Sequence, residues 1–212
     1  MVVEELLREL AAAGVAPDEL QIMGRPGPAG REGALFLAED GDRWLLGCLD
    51  LGRMIVSSAW PDEDTACTEA YGRLTAPLLP PRRLDPSEQA RAEQVASALE
   101  AATPPGEPRP IELPPGLLVD RFGALHGRWL FPAGTPYAER SLPPSLLDPL
   151  RPQAGRHVLV VLEPVAVLAG RVEPWFGQPG GGLRLDLVGA DDVWTLVRRE
   201  ALHQVRAGTT GD

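Results

Sequence analysis

Two proline-rich stretches, "APLLPPRRL" at 76–84 and "TPPGEPRPIELPPG" at 103–116, set the strongest limit on how this chain can fold. Proline lacks a backbone N–H and fixes φ, so neither a long helix nor a central strand runs through such a stretch. The 212 residues are thereby cut into a front piece, 1–78, a proline-rich linker, 79–109, and a back piece, 110–212. Each outer piece has the size of a small domain. Within the linker, "DPSE" supplies an N-cap, a proline at N1 and a glutamate at N3, which predicts a helix through about residue 101.

In the front piece Val3, Leu6, Leu7 and Leu10 recur at helical spacing, and Gly14 stands where a C-cap glycine belongs. After the loop "GRPGPAGREG", the runs "ALFLA", "RWLLGCL" and "MIVSSAW" are joined by the turns "EDGD" and "DLGR". They predict a three-stranded antiparallel meander. A second helix follows in "PDEDTACTEAYGRL", with Cys67, Ala70, Tyr71 and Leu74 on one face. The expectation is an αβββα unit with Cys67 in its core. The back piece reads as short strands, "LLVD", "GRWLF", "HVLVVLEPVAVLAG" and "LRLDLV", with a short helix near "ADDVWTLVRRE". The fold class expected for the whole chain is α+β.

Composition excludes several chemistries. The net charge is -10, and residues 1–78 carry 14 acids against 6 arginines, which argues against a nucleic-acid partner. There is no lysine, hence no Walker A loop and no Schiff base, and every cation that meets a substrate must be arginine. The 2 cysteines and 3 histidines show no metal-ligand spacing, so no metal and no resident cofactor are expected. No apolar run approaches a membrane span, and the acidic start lacks the pattern of a signal peptide, so synthesis in the cytoplasm is expected.

Three segments of the back piece concentrate polar and aromatic residues. Arg121 and Arg140 flank Phe122, Trp129, Phe131 and Tyr137, a set suited to stacking a planar ring while fixing a phosphate, or simply to filling a small core. His157 opens a strand. Gln178 lies beside Trp175 and Phe176, as a positioned donor and acceptor or an ordinary exposed turn residue, ahead of Gly180, Gly181 and Gly182, which either let a ligand approach the backbone or form a plain glycine-rich hairpin.

"LPPGLLVDRFG", "GRWLFPAGTPYAERSLPP" and "VLAGRVEPWFGQPGGG", in this order, closely resemble the tuberculosis necrotizing toxin family, TNT domains of bacterial polymorphic toxins and fungal NAD glycohydrolases, over roughly residues 110–206. The resemblance implies hydrolysis of NAD, with NADP as second substrate, to nicotinamide and ADP-ribose. It implies catalytic roles for Gln178, at the nicotinamide ribose, and Arg121, at the phosphate or ribose. It implies substrate contacts from Phe122, Trp129, Arg140, Tyr137, Trp175 and His157. Arg184 and Leu185 depart from the glutamine and tyrosine usual after the three glycines. A hydrolase of this kind calls for a specialised export route or a cognate immunity protein. Two other readings stand beside hydrolysis: ADP-ribosyl transfer, and a catalytically degenerate nucleotide-binding or partner-docking module.

Overall fold

The computed structural model describes residues 1–146, 155–189 and 191–206. They divide into two compact units, Met1–Leu78 with Gly123–Gly127, and Leu79–Phe122 with Arg128 onward.

In the first unit, helix α1 (Val3–Ala12) buries Val3, Leu6 and Leu10, while Leu7 is exposed, so the apolar stripe is narrower than its spacing suggests. Gly14, at φ 78°, ends the helix in a Schellman arrangement, with Gly14 N donating to Ala11 O and Val15 N to Leu10 O. Strands β1 (Leu20–Ile22), β2 (Leu35–Asp40), β3 (Arg43–Asp50) and β4 (Arg53–Trp60) form one sheet in the order β1-β2-β3-β4. The meander is as expected. The added β1, parallel to β2, is only three residues long and carries too little alternation to be legible. The β3–β4 turn places Leu51 and Gly52 at φ 47° and 70°, the left-handed pair that matches the twist of a hairpin. Helix α2 (Glu63–Thr75) is N-capped by Asp62 and buries Ala66, Cys67 and Ala70 against Leu35, Leu37 and Leu46 of the sheet. Burial pushes the Cys67 thiol up to about 11.

The second unit begins before helix α3 (Pro86–Ala102), which starts in the expected capping box of Asp85 and Glu88. From Leu79 onward the proline-rich stretches belong to this unit: Arg82 bridges to Val205, and Arg171 donates to Thr103 O and pairs with Glu100. Seven antiparallel strands, β5 (Arg109–Leu113), β6 (Leu118–Phe122), β7 (Trp129–Pro132), β8 (Arg156–Val161), β9 (Val165–Arg171), β10 (Leu183–Leu187) and β11 (Leu202–Val205), lie in the order β11-β8-β6-β7-β10-β9-β5. A short helix α4 (Val193–Arg198) precedes β11. β5 escapes a sequence reading because it contains Pro110, and it lies at the sheet edge, where a missing N–H is tolerated. "HVLVVLEPVAVLAG" divides at Leu162–Pro164 into β8 and β9, which pair with different partners on opposite sides of the sheet.

Strand alternation gives the sheet two unlike faces. Val119, Leu130, Leu159, Val167, Leu183 and Leu185 share one face and are fully buried. Asp120, Phe122, Trp129, Phe131, Arg156 and Arg184 lie on the other.

Candidate active site

That second face is built around one carboxylate. Asp120 is fully buried and accepts from Arg140 Nη1 at Oδ1 and from Arg140 Nη2 at Oδ2 (3.0 Å). Arg156 adds Nε and Nη2 to the same Oδ2, at 3.1 and 2.9 Å. Arg140 also donates from Nε and Nη2 to Thr135 O, at 2.9 and 2.7 Å. Its guanidinium thus makes four of the five hydrogen bonds such a group can donate, is 2% exposed, and lies 5.1 and 4.9 Å from the Phe122 and Phe131 ring centroids. The expectation that Arg140 grips substrate phosphate is corrected on this geometry, because the fork is closed onto Asp120 and Thr135.

Tyr137 sits in a 3-10 turn (Tyr137–Glu139), edge-on to Phe122 at 5.2 Å, and its hydroxyl donates to Pro143 O. The ring therefore braces Phe122. On the same sheet face, the Arg184 guanidinium lies 4.2 Å over the Trp129 ring, a cation–π contact that covers one side of the indole.

Arg121 and His157 occupy the opposite face. They are register partners between β6 and β8, beside Val119 and Leu159. Arg121 is 2% exposed and donates from Nη1 to Trp129 O at 3.2 Å. Alternation along β6 therefore separates Arg121 from the Asp120–Arg140 pair, against the expectation of two arginines closing on one pyrophosphate.

The loop bearing Gln178 is held to the segment 135–142 by its backbone. Gly180 N donates to Ala138 O and Gly182 N to Glu139 O, while Ser141 Oγ donates to Glu173 O and accepts from Trp175 N. A Cβ on Gly182 would stand 2.7 Å from Glu139 O, and one on Gly180 2.5 Å from Val172 O. These two glycines are needed for chain against chain, which corrects the expectation that the run exists to admit ligand. At the tip, Phe176 and Gly177 have φ of 51° and 72°, and Gln178 N closes a tight turn on Trp175 O. Trp175 and Phe176 stack at 4.4 Å and remain 52% and 40% exposed.

Gln178 turns inward from that tip. Its Nε2 donates to Leu142 O at 2.6 Å, which fixes the amide plane, and Oε1 is buried with no hydrogen-bond partner among the described residues. A buried amide oxygen left open is an acceptor awaiting a donor. Sequence reasoning found Gln178 but missed Asp120, Arg156 and Ser141. Asp120 was masked by its neighbour in "DRFG", and Arg156 stands just ahead of the apolar run of β8.

Among the described residues no group of three or more His, Cys, Asp or Glu is placed to hold a metal ion, and no helix is long and apolar enough to cross a membrane.

The family model described as tuberculosis necrotizing toxin matches residues 112–205. The conidial surface nicotinamide adenine dinucleotide glycohydrolase of Aspergillus fumigatus is 48% identical over 73 residues, 33% of this chain and 31% of that protein. The chain thus spans about a third of the length of this curated relative. The solved structure of tuberculosis necrotizing toxin complexed with its immunity factor is 24% identical, with a TM-score of 0.38, covering 48% of this chain and 57% of the other. The family match runs from the end of β5 to the end of β11 and takes in both the buried arginine–aspartate cluster and the Gln178 loop, so it is over residues 112–205 that the chain is similar to the tuberculosis necrotizing toxin family.

Proposed function

We propose that this domain hydrolyses the bond between nicotinamide and ribose in NAD, and in NADP, releasing nicotinamide and ADP-ribose. The observation that carries the reading is the Gln178 amide, oriented through Leu142 O with Oε1 buried and open. The 48% identity over 73 residues with a relative named as an NAD glycohydrolase supports the same chemistry.

The reaction does not need the carboxylate pair of ordinary glycosidases. Nicotinamide leaves from a cationic pyridinium, so when the C1′–N bond breaks its electron pair neutralises the ring nitrogen and no acid is required. Water then bonds to C1′ as the ribose gains oxocarbenium character, and the surplus proton passes to solvent. Gln178 Oε1 accepts from a ribose hydroxyl or from that water, holding it on one face of the sugar. Phe122, braced by Tyr137, and Trp129 supply ring surface for the nicotinamide. Arg121 acts as a positioning residue, tying β6 to β7 at Trp129.

The test is turnover of etheno-NAD by purified protein. Gln178→Ala is expected to lower kcat about a hundredfold or more while leaving the thermal melt nearly unchanged. Equal kcat in variant and wild type would remove Gln178 from the chemistry.

One observation favours a second reading. Arg184 covers one ring face of Trp129 and so takes up stacking surface, and a module that binds nucleotide without cleaving it is the alternative. Calorimetric binding of NAD with no release of nicotinamide would select it. A hydrolase that drains NAD also endangers the cell that makes it, and we propose that a cognate inhibitor protein or a specialised export route accompanies this chain. Toxicity on expression, relieved by co-expressing the neighbouring reading frame, is the expected sign of the inhibitor.

A further inference from the structure

The carboxylate of Asp120 is answered by two guanidinium groups where one would neutralise it. Arg140 alone satisfies both oxygens in a fork, is sealed from solvent, and is anchored a second time on Thr135 O. Arg156 is the surplus cation. Among the described residues its only ion-pair partner within 4 Å is Asp120, already paired, so the three groups together carry a net charge of plus one. A second guanidinium is not needed to neutralise a carboxylate that Arg140 already pairs, and Arg156, unlike Arg140, keeps part of its side chain open to solvent, where an outside anion can answer its charge.

The orientation of Arg156 shows where the answer would come from. Its Nε and Nη2 edge is spent on Asp120 Oδ2, which turns Nη1 away from the carboxylate, and the side chain is 32% exposed. Arg156 is the register partner of Phe122, on the sheet face that also carries Trp129 and Arg184. A pair of facing residues lies about 5 Å apart at Cα, so a ligand stacked near Phe122 comes within reach of this guanidinium. With Nε and Nη2 braced on Asp120, the rotamer entropy normally lost on gripping an anion is already spent.

We propose that Asp120, Arg140 and Arg156 form an anion subsite in which Arg156 presents Nη1 to the diphosphate of the dinucleotide, Asp120 and Arg140 acting as its positioning residues. The assignment rests on the dinucleotide reading above, and it puts the phosphate contact on Arg156. The ligand class is a phosphate diester or diphosphate, and ADP-ribose is the simplest probe, since it keeps the diphosphate and lacks the scissile bond.

Calorimetry with ADP-ribose on the full chain tests this. Arg156→Gln is expected to raise the Kd for ADP-ribose and the KM for NAD by about tenfold to a hundredfold, the loss of one charge-assisted contact, with kcat changed less than about threefold. Arg156→Lys should recover part of the affinity, and turnover of nicotinamide riboside, which has no diphosphate, should be indifferent to both changes. An unchanged Kd in a folded Arg156→Gln variant overturns the subsite. In case that variant does not fold, phenylglyoxal labelling of wild type gives the same decision: Arg156 should be modified, and protected by ADP-ribose, while Arg140 is not, and labelling of Arg156 that ADP-ribose leaves unaltered counts against the proposal. If the wild type fails to release nicotinamide yet binds ADP-ribose through Arg156, the hydrolase reading falls and the subsite stands. Turnover with binding that ignores Arg156 sinks the subsite alone.

Discussion

Asp120 shows how much one residue can decide in a small sheet. Fully buried, it collects four hydrogen bonds from two arginines, and through Arg140 it ties the segment at Thr135 to strand β6. Removing its charge while keeping its shape should therefore be severe, because Arg140 would remain enclosed with a neutral amide for a partner. Asp120→Asn is expected to cost about 3–5 kcal/mol, the usual consequence of breaking a buried pair by one partner. At about 2–4 °C per kcal/mol for a chain of this size, the melt of the second unit should fall by roughly 10 °C. Differential scanning calorimetry checks this, and a shift of a degree or two would mean that the cluster is wetter than its burial indicates.

At the scale of elements, the Gln178 loop and the segment 135–142 behave as one part. Their union depends on backbone contacts that only glycine permits: Gly182 N reaches Glu139 O at 2.9 Å, and Thr135 Cγ2 also lies within 2.9 Å of where a Cβ would stand. Gly182→Ala would bring a Cβ within 2.7 Å of that carbonyl, so the two segments must part by several tenths of an ångström. Since Gln178 is oriented by Leu142 in the same segment, the variant should lose turnover more than stability, about tenfold to a hundredfold in kcat for a melt lowered by a few degrees. Etheno-NAD kinetics alongside a thermal melt separates the two effects. The same pair of elements explains what could be read from sequence. Gln178, Phe122 and Trp129 announce themselves by residue type, and the meander and the capping box of α3 by local spacing. Three-residue β1, proline-bearing β5, the outward Leu7 and the closed fork of Arg140 are settled by tertiary neighbours that local spacing does not encode. Arg140 had the right chemistry for a phosphate, yet its place over Asp120 follows from the register of β6, which no window of sequence contains.

For the molecule as a whole, charge works against the proposed substrate. The net charge is -10, and residues 1–78 hold 14 acids to 6 arginines, whereas residues 79–212 hold 16 acids to 14 arginines. A dinucleotide is itself an anion, so at low ionic strength the long-range field repels what the Asp120–Arg140–Arg156 cluster attracts. The two forces differ in reach. Repulsion from dispersed surface charge is screened when the Debye length shortens from about 30 Å at 0.01 M salt to about 8 Å at 0.15 M. Contacts at hydrogen-bond distance from a largely buried cluster are screened far less. Adding sodium chloride over that range should therefore raise kcat/KM for NAD, and raise it further for NADP, whose extra phosphate feels more of the field. A basic, electrostatically steered pocket would show the reverse. A steady fall in kcat/KM with salt for both substrates would mean that binding is governed by exposed arginines, and that the buried cluster is not where the diphosphate is held.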